Sequence, residues 1–345
     1  MRSIYIDISD CKPGMVTAES VHNQYGGIIV AQNTPLNPYI INRLESLGIQ
    51  RVRVFAERSI SEKERKSELF EARYQNNVNE IKNILHGVSK GENLEFEKIK
   101  KLLESFTDGG VEKRDIIRCV NQVRSVHEYT YYHCINVSMI SKLIGEWIKL
   151  GKAEQNLLAQ AGMLHDIGKA KIPLSILNKP DALNDDELLI MKTHPILSYR
   201  LIENIPHINE DVKKAVLMHH ERCDGSGYPV GLKREKIPLF AKILSIADIF
   251  DAMTSKRPYK KTSSPFTVFQ MFEDYSFGIL DSAILSSFLS NITSYYIGEK
   301  VLLSNNETGE IIYINPMRFS QPVLKMEDKY VDLSVNTDLK IIEIL

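Results

Sequence analysis

The stretch Leu158-Ala159-Gln160-Ala161-Gly162-Met163-Leu164-His165-Asp166-Ile167-Gly168-Lys169 decides how the chain folds. Leu158, Ala161 and His165 recur at steps of three and four, the spacing of one helix face, so an imidazole rides on the apolar side of its helix with a carboxylate directly after it. The same arrangement recurs along the chain. His133 lies in line with Val126, Tyr129, Val137, Ile140 and Ile144; His194 falls on the stripe of Ile190, Met191 and Leu201; His219 and His220 continue that of Val212, Ala215 and Val216. Asp248 sits among Leu244, Ala247 and Asp251 on a helix whose other inward members are Phe240 and Ile243. Helical periodicity runs almost unbroken from residue 111 to about 296, with loops at Gly151, at Lys179-Pro180-Asp181 and from Asp224 to Pro229. A mainly α protein with a central all-helical domain over 111–296 follows.

The flanks read differently. Over residues 1–57 the alternations Ile4/Ile6/Ile8 and Arg51-Val52-Arg53-Val54, with turns at Pro13-Gly14 and Gly26-Gly27, predict a small N-terminal α/β module. Its helix is capped by Asn37, begun by Pro38 and stopped by Gly48. Residues 58–110 read as a helical connector in which Phe70, Tyr74, Val78, Ile81, Leu85 and Val88 form one stripe. Packing of that stripe on its own domain is favoured over a signalling role or a homodimer through the helix of residues 58–88, and the heptads are too few for a long coiled coil. After Gly298 a period of two returns in Val301/Leu303, Ile311 to Ile314, Val323, Val331/Leu333 and Ile341/Ile342/Ile344, so residues 297–345 should form a small C-terminal antiparallel β appendage.

Composition bounds the function. The 345 residues correspond to two or three domains at roughly 150 residues each. Hydrophobic residues at 43 % and charged residues at 25 % exclude a mostly disordered or fibrous chain. Basic residues (43) and acidic residues (44) nearly cancel, leaving a net charge of -1, so no global field attracts a DNA or RNA polymer. Cys11, Cys119, Cys134 and Cys223 lack C-x-x-C spacing, as expected of reduced thiols in the cytoplasm. No run approaches about 18 uninterrupted apolar residues and the start lacks a signal peptide's apolar segment, so neither a membrane span nor an export tag is expected.

Five histidines and two carboxylates thus share one interior. Singly, each reads better as a hydrogen-bonded core residue; together, burying them unpaired would cost on the order of several kcal/mol each, which bound cations would offset. Seven nitrogen and oxygen ligands are too many for one tetrahedral site and suit two cations sharing a carboxylate. Without cysteine in the set, iron, manganese, zinc or nickel fits better than a thiolate-loving ion.

His165-Asp166-Ile167-Gly168-Lys169, then His219-His220-Glu221-Arg222-Cys223-Asp224-Gly225-Ser226-Gly227-Tyr228-Pro229, then Asp248-Ile249-Phe250-Asp251-Ala252-Met253-Thr254-Ser255-Lys256-Arg257-Pro258-Tyr259 closely resemble the HD-GYP family, bacterial cyclic di-GMP phosphodiesterases within the HD metal-dependent phosphohydrolases. The resemblance covers roughly residues 111 to 296, with the motifs in family order. It implies one metal held by His133, His165, Asp166 and Asp248, and a second reached by Asp166 as a bridge and held by His194, His219 and His220. The pair would be two divalent ions, iron or manganese first, zinc or nickel as alternatives. Some members carry a Glu four residues before the first histidine and bind a third metal; Tyr129 stands there, which favours two, although Glu128 is adjacent.

The activity implied is hydrolysis of cyclic di-GMP to linear pGpG, GMP or both, by a water activated in the dinuclear site through Asp166. Lys169 is expected to neutralise charge growing on a phosphate oxygen, against the alternative of a solvated helix-end lysine. Arg257 and Lys260, nine and twelve residues after Asp248, match the family's substrate-contacting positions, and Tyr228 either stacks near the substrate or anchors its loop. Two other readings stay open: a non-catalytic signalling module that keeps the fold, and a hydrolase of another cyclic dinucleotide or a nucleoside phosphate.

Overall fold

Two antiparallel strands, β1 (Ser3–Asp7) and β4 (Arg51–Phe55), pair from Ser3 against Phe55 to Asp7 against Arg51, so that Val52 and Val54 turn inward and Arg51 outward. They belong to the first of two compact units, Met1–Lys66 and Ser67–Leu345, of a computed structural model that describes residues 3–23, 26–55, 62–107, 113–120, 128–255, 264–276 and 278–345. Between them lie the short pair β2 (Val21–His22) and β3 (Ile28–Val30) and helix α1 (Pro38–Ser46). The Asn37 side chain accepts the Ile40 N–H at 2.8 Å, the cap the sequence predicts, and Leu36 and Leu44 close a small core with Val52 and Val54.

The second unit opens with α2 (Glu62–Ser89), which begins within the last residues of the first. Phe70, Tyr74, Val78, Ile81 and Leu85 enter the core of the helical unit and Val88 is buried too. The stripe is thus buried within this unit. After α3 (Phe96–Thr107) and α4 (Lys113–Val120), helices α5 (Tyr129–Trp147) and α6 (Lys152–Leu164) form a tightly packed hairpin. Short helices α7 (Leu174–Leu177), α8 (Asp185–Met191), α9 (His194–Ile202) and α10 (Glu210–Met218) follow. Helix α11 (Leu239–Thr254) buries Phe240, Ile243, Leu244 and Ala247 and packs on α5 and α10. Helices α12 (Pro265–Tyr275) and α13 (Ser282–Ile292) complete the bundle, with Phe250 stacked on Phe269 and edge-on to Phe288 in its core.

One expected stripe does not exist. His194 is not in line with Ile190 on a continuous helix: α8 stops at Met191, α9 starts at His194 with Pro195 in its first turn, and Ile190 is exposed. Proline at the helix start is compatible with its missing N–H, whereas within a continuous helix it would remove a backbone bond.

Strands β5 (Lys300–Leu303), β6 (Thr308–Asn315), β7 (Arg318–Lys325), β8 (Tyr330–Asp332) and β9 (Ile341–Ile344) form one antiparallel sheet in the order β8-β7-β6-β5-β9. Val301, Leu303, Ile311, Leu324 and Ile341 face inward and share the helical core rather than making a separate one. Among the described residues no helix is long and apolar enough to cross a membrane, and all four cysteines are free thiols.

Candidate metal centre

Two groups of side chains meet where α5, α6, α9, α10 and α11 converge. In the first, His133 Nε2 lies 3.2 Å from His165 Nε2, 3.0 Å from Asp248 Oδ1 and 3.4 Å from Asp166 Oδ2. In the second, His194 Nε2 lies 3.4 Å from His219 Nε2 and 3.1 Å from His220 Nε2. Asp166 joins them: its Oδ2 faces His133 and His165, and its Oδ1 lies 3.2 Å from His194 Nε2. All seven residues singled out from the sequence are thus gathered in one place, six of them buried and His220 half-buried.

The unused ring nitrogens determine what the cluster can hold. His165 Nδ1 is 2.7 Å from the Gly162 carbonyl, His194 Nδ1 is 2.8 Å from that of Met191, and His219 Nδ1 is 2.7 Å from that of Val216. A carbonyl only accepts, so each Nδ1 carries a proton and each neutral ring turns an Nε2 lone pair into the cluster. The three carbonyls belong to the last turns of α6, α8 and α10, where helix geometry leaves them without a partner. The His194 and His219 lone pairs, facing one another at 3.4 Å, repel unless a cation lies between them. Two nitrogens bound to one ion at about 2.1 Å stand about 3.0–3.4 Å apart, the separation seen. Asp166 Oδ1 accepts no hydrogen bond within the described residues despite full burial, as a carboxylate oxygen reserved for a cation would. The donor set, imidazole and carboxylate without thiolate, fits divalent first-row ions.

Electrostatics agree. Burial disfavours the Asp166 anion, but the Lys169 ammonium outweighs it and holds the carboxyl well below its usual range. Asp248 is also held well below its usual range, against its burial, by the His133 hydrogen bond. Burial pushes His165 down, His219 far down, and His220 down to about 3, keeping these rings neutral. His133 departs from them: burial opposes its charge, but hydrogen bonds to Asp248 and Asp251 and the charge of Asp166 push it up to about 9. A positive charge is therefore demanded beside His133, supplied by a proton when no cation is bound.

Supporting contacts hold these side chains. Gly168 N–H donates to Ser198 Oγ at 2.8 Å, and a Cβ on Gly168 would fall 2.3 Å from the His194 carbonyl oxygen. Only glycine lets the turn after Asp166 approach α9 closely enough to set His194 beside it. Glu221 is buried next to His220 and accepts the N–H groups of Val230 at 2.8 Å, Gly231 at 3.2 Å and Leu232 at 2.8 Å, closing the 224–232 loop. A Cβ on Gly227 would land 2.5 Å from the His220 carbonyl, so this loop also folds directly onto the ligand pair. Tyr228 stacks on His220 with centroids 4.6 Å apart, and the Lys192 ammonium lies 5.6 Å from its ring centre.

Lys169 Nζ sits 2.5 Å from Asp166 Oδ2, half-buried rather than solvated. Tyr129 stacks on His133 with centroids 5.1 Å apart, putting a phenol at the position considered for a third metal. Arg257 and Lys260 lie outside the described residues. Three supporting residues had no role assigned from sequence. Asp251, one turn after Asp248, was legible as inward-facing; Glu221 adjoined the histidine pair; Ser198 carried no signal at all.

Residues 114–284 match the model of the HD domain family. Over these residues the chain carries an HD domain similar to that of cyclic dinucleotide phosphodiesterases. Curated relatives include a cyclic di-GMP phosphodiesterase of Pseudomonas aeruginosa, 32 % identical over 191 residues, which are 55 % of this chain and 46 % of the relative. A cyclic di-GMP phosphodiesterase of Thermotoga maritima is 34 % identical over 206 residues, 58 % of this chain and 55 % of its own length. A 3'3'-cGAMP-specific phosphodiesterase of Vibrio cholerae is 34 % identical over 177 residues, 51 % and 41 % of the two chains. The chain spans about half the length of the curated relatives it matches.

Proposed function

We propose that this centre binds two divalent metal ions, iron or manganese, and hydrolyses a phosphodiester bond of cyclic di-GMP to give pGpG, GMP or both. The observation that carries this is the convergence of Nε2 lone pairs on the two oxygens of Asp166, one oxygen turned to each ligand group. Two such ions, when bound, would supply a water of lowered pKa and neutralise charge on the entering and leaving oxygens.

The chain's own groups do the rest. Asp166 holds both ligand groups in register, and Asp248 completes the first. Lys169, fixed by its ion pair to Asp166 Oδ2, keeps an ammonium at the edge of the cluster where a non-bridging phosphate oxygen gathers charge. Tyr228, held flat on His220 by a loop that Glu221 ties down, offers its ring edge to a base. Arg257 and Lys260, a few residues beyond Asp248, are assigned to substrate phosphate or guanine on their sequence positions.

The test is turnover by apo-protein reloaded with Mn(II), or with Fe(II) under nitrogen. Cyclic di-GMP and 3'3'-cGAMP are supplied separately, and the products are resolved by ion-exchange chromatography. Metal-dependent appearance of pGpG or GMP from cyclic di-GMP is expected. Faster hydrolysis of 3'3'-cGAMP would move the substrate assignment to the mixed dinucleotide; no turnover of either with both ligand groups filled would leave a non-catalytic signalling module.

A further inference from the structure

Outside the ligand groups, one continuous set of buried hydrogen bonds leads away from the centre. Asp251 Oδ2 accepts from His133 Nδ1 at 2.7 Å, its Oδ1 accepts from Asn136 Nδ2, and Asn136 Oδ1 accepts from the Tyr74 hydroxyl at 2.7 Å. All four residues are buried, and they come from three different helices, α5, α11 and α2. The directions are forced. A carboxylate only accepts, so the Asn136 amide must turn its NH₂ to Asp251 and its oxygen to Tyr74, and Tyr74 must donate. The phenol hydroxyl reinforces this orientation, because the flipped amide would turn its oxygen to the carboxylate that fixes the His133 ring and lose the Tyr74 bond. Helix α2 is also tied to the first turns of α5: Tyr132 donates to Gln75 Oε1 at 2.8 Å and Lys82 pairs with Glu128 at 3.0 Å. His133 lies on that same stretch of α5.

We propose that Tyr74 is a positioning residue for the metal centre, and that the Tyr74–Asn136–Asp251–His133 chain couples the seating of helix α2 to metal affinity at the His133, His165, Asp166 and Asp248 group. This rests on the reading of that group as a metal site. Hydrogen-bond partners of a ligating imidazole set its orientation and basicity, and here the outermost partner is carried by the helix that runs in from the N-terminal part of the chain. By linkage the coupling is reciprocal: a seated α2 tightens metal binding, and bound metal tightens the seating of α2.

Two measurements on the full-length protein test this. Equilibrium dialysis of apo-protein against Mn(II) or, anaerobically, Fe(II), with elemental analysis, gives the affinity of the binding step that Asp251→Asn weakens. Loss of a direct partner of the ligand should weaken that step by about 10- to 100-fold. Tyr74→Phe should weaken it by roughly 3- to 10-fold, and the double variant no more than Asp251→Asn alone, because the path is already cut. Hydrogen exchange read over residues 67–89 should slow in the wild type when metal is added, and should not respond to metal in Tyr74→Phe although the variant still binds it. Multiplying losses in the double variant, or equal metal-induced protection of α2 in wild type and Tyr74→Phe, would overturn the coupling while leaving the metal site intact. A wild-type chain that binds neither ion would remove the metal reading and the coupling with it.

Discussion

Replacing Gly168 by alanine is the sharpest perturbation of the centre that touches no ligand. The added Cβ would lie 2.3 Å from the His194 carbonyl oxygen, 2.4 Å from Ser198 N and 2.7 Å from Ser198 Oγ. Two of these are backbone atoms, so no side-chain rotation relieves the clash. Since carbon reaches comfortable contact at about 3.5 Å, the turn and α9 must part by about 1 Å. Metal ligands tolerate about 0.2 Å. His194 is the first residue of α9 and moves with it, leaving Asp166 Oδ1 without its neighbour. Overpacking costs about 1–3 kcal/mol, and stretching the Gly168–Ser198 bond adds about 1 kcal/mol. Gly168→Ala should therefore fold, lose about 2–4 kcal/mol in urea unfolding of the apo-protein, keep one metal per chain instead of two, and lose at least about 100-fold in turnover. Ser198→Ala is the control: it removes the acceptor of the Gly168 N–H without pushing the helices apart, so it should lose stability yet retain two metals. A Gly168→Ala protein with two metals and wild-type turnover would refute the claim that this close approach places His194.

Other outcomes follow from the same contacts. Asp166→Asn keeps the shape but removes the charge shared by the two ligand groups, so elemental analysis should show at least one metal lost, with turnover down at least about 100-fold. Glu221→Gln turns one accepting oxygen into a donor facing the N–H groups of the 224–232 loop, costing about 1–3 kcal/mol; KM should rise through a displaced Tyr228 while metal content stays at the wild-type value. The two ligand groups should also respond differently to pH. His133, pushed up to about 9, carries a proton in apo-protein at neutral pH that a metal must displace, so affinity at the first group should rise about tenfold per pH unit up to that value, with proton release visible by calorimetry in two buffers. His219, far down, and His220, at about 3, stay neutral to low pH and add no such dependence to the second group. Equal pH slopes for both binding steps would contradict this assignment.

Periodicity made the helical architecture and the inward direction of the ligands legible, though not for a single reason. His133 and Asp248 lie within α5 and α11 and follow the helical stripe as read. His165 and His219 lie one residue past the ends of α6 and α10, and His194 opens α9 three residues after the last residue of α8. These three continue an apolar pattern in sequence, but what aims them is a hydrogen bond from Nδ1 to a carbonyl three residues back, not a place on a stripe. That is why Ile190 could be exposed while His194 is buried. The capping of α1 by Asn37 and the strands of the C-terminal sheet were legible because their signals are local. Contacts such as Tyr74 to Asn136, 62 positions apart, or Gly168 to Ser198, 30 apart, were not, because no local pattern encodes which distant residue a helix will meet.

The helix ends explain why this bundle suits cations in particular. An α-helix gathers about half a negative charge at its C-terminus, on the same carbonyls that lack partners. Helices α6, α8 and α10 all terminate at the cluster, each giving one such carbonyl to an imidazole Nδ1–H. The hydrogen bond satisfies the carbonyl and passes its electron density through the ring toward Nε2, making the imidazole a stronger donor to a metal. One local device thus relieves a folding liability at three helix ends and prepares three ligands. Asp251 performs the same service for His133, whose position inside α5 leaves no free carbonyl within reach. Being a side chain with a second oxygen, it can be bonded again, and Asn136 and then Tyr74 extend the set beyond the centre. Of the four imidazoles whose Nδ1 is anchored in this way, three are fixed by their own local backbone, and His133 alone depends on where other helices lie. The buried hydrogen-bonded route from Tyr74 on α2 therefore enters this centre through His133.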